Sequence, residues 1–147
     1  MKVVIGADHR GFGLKHRLVE WLQSQGHEVN DMGAYQMEPM DDYPEYAVRV
    51  SRVVSEDSSA RGIVLCGSGV GVCIVANKIE GVRCGQALNK EQIKSARSDD
   101  DITVLALAAD YISFEMATEI VHEFLETPFS QEERHQRRVN QIVKLEE

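Results

Sequence analysis

The sequence lacks several features that would assign it to particular classes of protein. No stretch approaches the roughly 18 consecutive apolar residues of a membrane-spanning helix, so we expect a soluble protein. The first residues enter an apolar run at once, without the charged region, long apolar region and cleavage site of a signal peptide, which predicts a cytoplasmic location. Only three cysteines are present, and this odd number without paired spacing favours reduced thiols over a disulfide framework.

Basic residues are also in short supply. The formal net charge is -8, from 16 Lys and Arg against 24 Asp and Glu. Neutralising the phosphates of nucleic acid requires a basic stripe, so this balance argues against a nucleic-acid partner. No spacing of Cys and His matches a zinc site, so we expect no structural metal. The one dense basic cluster, from Arg134 to Arg138, has room for a single phosphate.

The residues that are present predict a single α/β domain over residues 1–147. Short apolar runs alternate with helical patterns, as in repeated βαβ units with a parallel sheet, at 3–5, 27–30, 63–65, 82–84 and 102–107. Helices that would cover both faces of the sheet are predicted at 12–25, 43–55, 72–79, 91–97, 111–125 and 131–145. The segment 34–42 is predicted to be either a mobile flap or an ordinary surface loop.

The segment from Ile63 to Val72 joins an apolar run to a glycine-rich turn that carries a thiol, Cys66, and a hydroxyl, Ser68. In open parallel sheets ligands bind beyond the carboxyl ends of the strands, so Cys66 is predicted to face a ligand crevice. The glycines of the turn allow backbone amides to point at an oxyanion, although their spacing matches neither G-x-G-x-x-G nor a Walker motif. The alternative is that Cys66 is a small buried apolar side chain.

Two further turns carry side chains suited to chemistry. The first strand is followed by Asp8, His9 and Arg10, and these should lie on the same edge of the sheet as the thiol. A carboxylate, an imidazole and a guanidinium together favour a functional site over a structural role. Tyr43 follows Asp42, a predicted helix cap, and its hydroxyl can reach inward.

These motifs resemble the type B ribose-5-phosphate isomerases, a family that also includes galactose-6-phosphate isomerase subunits. The resemblance covers nearly the whole chain, and it rests on Gly6-Ala7-Asp8-His9, Gly11 with Leu14-Lys15, Asp42-Tyr43-Pro44, Cys66-Gly67-Ser68-Gly69-Val70-Gly71, Ala76-Asn77-Lys78 and Arg134-His135-Gln136 with Arg138. It implies a Rossmann-like three-layer sandwich with five parallel strands and no metal or organic cofactor. It also implies a homodimer that can pair further into a tetramer, with the active site at the subunit interface and the helix at 131–145 contributing to that interface.

The resemblance further implies a reaction and the residues that perform it. Cys66, assisted by Ser68, would move a proton between C1 and C2 of an open-chain sugar phosphate, most simply ribose 5-phosphate, through a cis-enediolate. Amides of the glycine turn would stabilise the enediolate oxygen. Val72 stands where a second branch of the family has Glu, which assigns this chain to the thiol branch. The implied substrate-binding residues are Asp8, His9, Arg10, Tyr43, Gly67, Gly69, Val70, Gly71, Arg134 and Arg138.

The chain departs from the family pattern after Arg97, where Asp99-Asp100-Asp101 replaces His-Asn-Asp. The resemblance implies that the residue at position 99 helps to open the furanose ring and that the residue at position 100 supports the reacting oxygens from the neighbouring subunit. We therefore treat Asp99 and Asp100 as candidate catalytic residues. The alternative is that both face solvent on a helix-to-strand loop. Asp110 replaces an arginine that helps hold phosphate, and the added negative charge would weaken the binding of a phosphate dianion.

These departures leave several functions open. The substrate can be another aldose phosphate, a uronate or an unphosphorylated sugar. The chain can also be a non-catalytic subunit of a hetero-oligomeric isomerase, or a nucleotide-binding regulatory module. Turnover by the purified chain alone, or stabilisation by nucleotide, would distinguish these functions.

Overall fold

The computed structural model describes residues 1–147 and confirms the predicted α/β sandwich. Its strands are β1 (Lys2–Ala7), β2 (Glu28–Asp31), β3 (Ala60–Cys66), β4 (Cys84–Gln86) and β5 (Val104–Ala108). Its helices are α1 (Phe12–Ser24), α2 (Tyr43–Glu56), α3 (Val70–Ala76), α4 (Lys90–Asp100), α5 (Phe114–Glu126) and α6 (Glu133–Val143), followed by a 3₁₀ turn at Lys144–Glu146. All strands are parallel, in the order β2-β1-β3-β5-β4. No helix is both long enough and apolar enough to cross a membrane.

Alternating side chains of the strands build two separate halves of the core. Val3 and Ile5 point to one face, where they pack with residues of α1, α4 and α5. Val4 and Val64 point to the other face, where α2 and α3 cover them. Cys66 belongs to this second face. The thiol at the end of β3 is therefore directed toward the helices that begin at the carboxyl edge of the sheet.

Helix α2 packs directly on β3 because position 62 has no side chain. A Cβ atom at Gly62 would lie 2.9 Å from Cγ1 of Val50 and 3.0 Å from Cγ2 of Val54. This close approach brings the amino end of α2, with Tyr43, beside the carboxyl end of β3. Asp42 holds the N-cap position of α2, but its side chain makes no capping hydrogen bond, so its predicted capping role is wrong.

Two boundaries around the glycine turn and the edge strand differ from the predicted ones. Helix α3 begins at Val70 rather than at residue 72, because Gly69 takes a left-handed conformation (φ 73°) that lets the chain turn at once into the helix. The strand predicted at 82–84 instead starts at Cys84. The amide of Arg83 is held by Oγ1 of Thr103 at 3.2 Å, and pairing with β5 begins only one residue later.

Helix α4 also extends beyond its predicted end at residue 97. It continues to Asp100 and stops where Asp101 becomes left-handed (φ 48°). Arg97 donates to Oδ1 of Asp101 at 2.8 Å and to the carbonyl of Ile102 at 2.6 Å, which closes this end of the helix. Asp99 and Asp100 thus lie in the last helical turn. The alternative prediction that placed both residues on a helix-to-strand loop is wrong, because their backbone is helical.

Candidate active site

The candidate site forms where the strand order reverses direction. Strands β1 and β3 are neighbours, with Ala7 paired to Leu65, and the connections that leave them run to opposite sides of the sheet. Such a switch point opens a crevice at the carboxyl ends of the strands. Asp8 directly follows β1 and Cys66 ends β3, so the fold brings together these two predicted residues, which are far apart in sequence.

The turn after Cys66 is shaped by its glycines and fixed by hydrogen bonds. A Cβ atom at Gly69 would lie 3.0 Å from the amide nitrogen of Ala108. This position therefore favours glycine because there is little room for a side chain, as well as because its backbone is left-handed. Oγ of Ser68 accepts from the amide of Val70 at 3.2 Å, and the carbonyl of Ser68 accepts from Nε2 of Gln86 at 2.6 Å. Ser68 therefore holds the turn at both its side chain and its backbone.

A cleft of about 300 Å³ opens beside this turn. Its lining combines one thiol, one carboxylate, one guanidinium and two hydroxyl groups with backbone and aliphatic surface: Asp8, Arg10, Tyr43, Cys66, Gly67, Ser68, Val70, Gly71 and Ile74. Cys66 is 4% exposed, so its thiol meets solvent only through the cleft. The structure thus brings most of the predicted site residues into one wall.

Tyr43 closes one side of the cleft by lying over helix α3. A Cβ atom at Gly71 would be 2.5 Å from Cζ and 2.9 Å from the hydroxyl oxygen of Tyr43, so the ring rests directly on the backbone of Gly71. The tyrosine is 38% exposed. Glycine at position 71 therefore allows a hydroxyl group to stand close to the turn that carries the thiol.

Asp8 is buried and already engaged with the backbone of its own turn. Its Oδ1 accepts from the amide of Arg10 at 3.0 Å and from the amide of Gly11 at 3.1 Å. The structure records no partner for Oδ2, which leaves this oxygen able to accept a hydrogen bond from a substrate hydroxyl.

His9 does not line the cleft, and its imidazole instead contacts Asp41 in the segment 34–42. Nδ1 of His9 lies 2.8 Å from Oδ1 of Asp41. The same oxygen accepts a hydrogen bond from the backbone amide of His9 at 3.0 Å. The hydroxyl of Tyr46 donates to Oδ2 of Asp41 at 3.0 Å. This irregular segment, predicted as a flap or a surface loop, is therefore tied to the β1–α1 turn.

These contacts set the protonation of Asp41 and Tyr46. Burial alone would raise the pKa of Asp41, but hydrogen bonds from His9 and Tyr46 outweigh it and lower that pKa. Burial, together with the hydrogen bond to Asp41, raises the pKa of Tyr46 to about 12. Possible ligand atoms of Asp8, His9 and Asp41 lie within 4.8 Å of one another. The hydrogen bonds already made by His9 and Asp41 account for this cluster without a cation.

A second thiol site lies next to the cleft, on the other side of α3. Sγ of Cys73 is 3.6 Å from the carbonyl of Cys84, and the side chain of Asn77 bonds to the backbone of both cysteines. A hydrogen bond from the thiol of Cys84 lowers the pKa of Cys73 to about 7, against the opposing effect of burial. The same hydrogen bond raises the pKa of Cys84. Neither thiol lines the cleft.

The four remaining predicted residues lie at the opposite edge of the sheet from Cys66. Helix α4 leads from the carboxyl end of β4 to the amino end of β5, and the five residues of β5 span roughly 17 Å at about 3.3 Å each. Asp99 is half exposed, with Oδ1 3.7 Å from Nε2 of His135, and Asp100 is exposed. Arg134 pairs with Glu132 at 2.9 Å on the surface.

Arg138 is also exposed, one helical turn beyond Arg134. Within one chain, neither arginine and neither of Asp99 and Asp100 reaches the cleft. Their predicted roles therefore require a second chain, and they stay predictions.

Sequence reasoning missed three residues that the structure brings to this site: Ile74, Asp41 and Gln86. Ile74 was detectable, because it follows Val70 by one helical turn and so shares its face. Asp41 and Gln86 act through contacts between distant segments, and no local pattern indicates them.

The fold and the cleft together define the class of protein: an α/β sandwich with a buried thiol, a carboxylate and a tyrosine at the switch point of a parallel sheet. A family model described as Ribose/Galactose Isomerase matches residues 3–142, and the chain belongs to this family. The resemblance read from the motifs is therefore confirmed at the level of the family.

Individual relatives agree with this assignment. The chain is 37% identical over 146 residues to ribose-5-phosphate isomerase B of Escherichia coli K12, covering 99% of this chain and 97% of that protein. It is 35% identical over 144 residues to the probable ribose-5-phosphate isomerase B of Mycoplasma pneumoniae, covering 98% and 94%. The structure of ribose-5-phosphate isomerase B from Mycoplasma genitalium with bound ribulose-5-phosphate matches with a TM-score of 0.95 at 35% identity, covering 99% and 95%.

Proposed function

We propose that this chain interconverts ribose 5-phosphate and ribulose 5-phosphate. The observation that carries the proposal is the cleft in which buried Cys66 stands beside Asp8 and Tyr43, in a chain of the ribose/galactose isomerase family. The Mycoplasma genitalium relative, with ribulose-5-phosphate bound, has the same fold across almost its whole length. Both findings support an aldose–ketose isomerase of a sugar phosphate.

In the proposed reaction Cys66 is the base. Its thiolate takes the proton from C2 of the open-chain aldose, and the electron pair moves onto the C1 oxygen to give a cis-enediolate. The thiol then returns a proton to C1, the proton of the C2 hydroxyl passes to the C1 oxygen, and the C2 carbon becomes the ketone carbonyl. The reaction conserves atoms and electrons, so these proton transfers account for it without a redox partner.

The other lining residues have distinct proposed roles. Backbone amides of the turn from Gly67 to Gly71 stabilise the enediolate oxygen, because the first amides of α3 have no acceptor within the helix. Ser68 fixes this turn and thereby assists Cys66. Asp8 and Tyr43 bind substrate hydroxyls, for which free Oδ2 and the tyrosine hydroxyl are available.

The proposed working unit is a homodimer, which can pair further into a tetramer. Arg134 and Arg138 share one exposed face of α6, and their guanidinium groups suit the phosphate of a substrate in a second chain's cleft. Val70 and Ile74, at the rim of the cleft, are about half exposed, and such apolar side chains favour burial against a partner. Asp99 and Asp100 would enter the same shared site from α4.

Mixing two inactive variants tests this shared site. Cys66→Ala and Arg138→Ala subunits, unfolded and refolded together, should regain about one quarter of wild-type turnover at low substrate concentration, because half the dimers are hybrids with one intact site of two. If both residues serve the same chain's cleft, no hybrid has an intact site and the mixture stays inactive. Refolded Cys66→Ala alone is the control.

The main alternative to this proposed function is the isomerisation of a sugar other than ribose 5-phosphate. Asp99, Asp100 and Asp110 stand where the family pattern has neutral or basic residues, so less positive charge is available to a phosphate dianion, although Asp110 is paired with Arg10. The two functions are distinguished by measuring kcat/KM of the purified protein for a panel of pentose, hexose and tetrose phosphates, with their unphosphorylated and uronate analogues. Ribose 5-phosphate should give the highest value. A higher value for another sugar would replace it as substrate, and no turnover of any sugar would favour a non-catalytic subunit.

The cytoplasmic location expected from the sequence stays a prediction. The reaction proposed here is consistent with that location, since sugar phosphates are charged metabolites that do not cross membranes unaided. Fractionation of the source cells would test it.

A further inference from the structure

We propose that Arg10 contacts the reacting end of the substrate and that Asp110 is the positioning residue that holds Arg10 there. This inference rests on the isomerase function proposed above. It gives Asp110 a role in turnover rather than treating it only as the loss of a phosphate ligand.

The two residues meet directly above the glycine turn. Nη2 of Arg10, after β1, forms an ion pair with Oδ2 of Asp110, after β5. A Cβ atom at Gly67 would collide with the guanidinium of Arg10 and would lie 2.7 Å from Oδ2 of Asp110. The pair therefore rests on the backbone of the residue that follows Cys66.

Both members of the pair are anchored through their own backbones. The amide of Arg10 donates to Oδ1 of Asp8 at 3.0 Å, and the amide of Asp110 donates to the carbonyl of Gly67 at 3.1 Å. The side chain of Asp110 is 32% exposed and that of Arg10 is 56% exposed. The pair is thus held in place at the border of the cleft while remaining accessible to a ligand.

The guanidinium keeps donors for a substrate oxygen. It carries five N–H groups in a fixed plane, and the recorded side-chain contact uses only Nη2. Arg10 lines the cleft beside the turn that carries the thiol. The oxygen of C1 gains negative charge as the enediolate forms, and a positioned cation at this point stabilises the transition state more than the ground state.

Asp110 makes this arrangement possible by restricting a flexible side chain. An unpaired arginine would have to give up rotamer freedom when it binds substrate. The carboxylate of Asp110 also offsets the charge of the guanidinium. The pair therefore suits a partly charged substrate oxygen better than it suits a phosphate dianion. Asp110 therefore acts on the reaction only through Arg10.

Steady-state kinetics of the native oligomer with ribose 5-phosphate test the pair. Arg10→Ala should lower kcat by roughly tenfold to a hundredfold with a smaller change in KM, as expected for a charge-assisted hydrogen bond made in the transition state. Asp110→Asn should lower kcat by a smaller factor, and Asp110→Glu should restore part of the loss. In the Arg10→Ala background, Asp110→Asn should have no further effect.

The partly buried Lys2–Asp57 ion pair, at the opposite edge of the sheet, provides the matched control. Asp57→Asn makes the same charge change and should leave kcat unaltered. Circular dichroism and thermal unfolding establish that each variant is folded, and if Asp110→Asn does not fold, Arg10→Ala and Asp110→Glu decide the question.

Three results would overturn the inference. Wild-type kinetics in Arg10→Ala would remove any role for the guanidinium. An equal effect of Asp110→Asn with and without Arg10 would show that the carboxylate acts independently. A wild-type protein that does not turn over ribose 5-phosphate would refute the proposed function, and this inference with it, whereas an active wild type with insensitive variants refutes this inference alone.

Discussion

Replacing Gly71 by alanine tests whether the ring of Tyr43 forms a working wall of the cleft. In helix α3 the added methyl group would by itself favour the helix by about 1 kcal/mol. However, the new Cβ atom would lie 2.5 Å from Cζ and 2.6 Å from Cε2 of Tyr43. Carbon atoms in contact keep about 3.5 to 4.0 Å, so the ring must move by about 1 Å.

A displacement of this size in a substrate-positioning residue is expected to lower kcat/KM by about a hundredfold. The assay is ribulose 5-phosphate formation from ribose 5-phosphate, run beside thermal unfolding of the same samples. Gly13→Ala is the control, because a Cβ atom there meets nothing within 4 Å in helix α1. That variant should gain stability and keep wild-type kinetics.

The dependence on Tyr43 makes the test specific. In a Tyr43→Ala background the clash is gone, so Gly71→Ala should cause no further loss of kcat/KM and should raise the unfolding free energy. Unaltered kinetics in Gly71→Ala, or the same loss with and without the tyrosine ring, would refute the reasoning.

Three further predictions concern stability and titration. Lys15→Ala removes a fully buried ammonium whose Nζ lies 2.7 and 2.9 Å from the carboxylate oxygens of Asp31. Urea unfolding should show that the free energy of unfolding falls by about 3 to 5 kcal/mol, and a change near zero would contradict this prediction. The pKa of Tyr46 is about 12 in the fold against 10.0 ordinarily, so the unfolded state loses its proton first and stability falls as pH rises through this interval. Tyr46→Phe should reduce that fall by about 1.4 kcal/mol per pH unit, and an unchanged slope would count against the assignment. Cys73, with a pKa of about 7, should show half-maximal alkylation by iodoacetamide near that pH in peptide mass spectrometry; Cys84→Ala should shift the midpoint upward, and an unshifted midpoint would exclude the hydrogen bond as its cause.

The parts of the site that follow from topology could be predicted from the sequence. Carboxyl ends of parallel strands meet at one edge, so Asp8 and Cys66 were expected together once their strands were identified. Tyr43 joined them because its helix begins at the same edge. The glycine turn predicted close backbone approach, and the structure shows the contacts at Gly69 that require it.

The parts that depend on contacts between distant loops could not be predicted. Arg10 and Asp110 are 100 residues apart in sequence, and nothing local indicates that their side chains meet. His9 was expected in the substrate site, whereas its imidazole is bound to Asp41 from the irregular segment 34–42. Asp99 does not line the cleft of its own chain, and its proposed entry into the cleft of a second chain stays a prediction, because the sequence pattern does not orient two chains.

The most direct test of the central claim follows the proton that Cys66 is proposed to transfer. Wild-type protein and Cys66→Ala are incubated with ribose 5-phosphate in deuterium oxide, and the ribulose 5-phosphate that forms is analysed by nuclear magnetic resonance. The wild type should form product that carries solvent deuterium at C1, while the folded variant should bind the sugar phosphate without forming product. Product formation by Cys66→Ala at the wild-type rate would contradict the account.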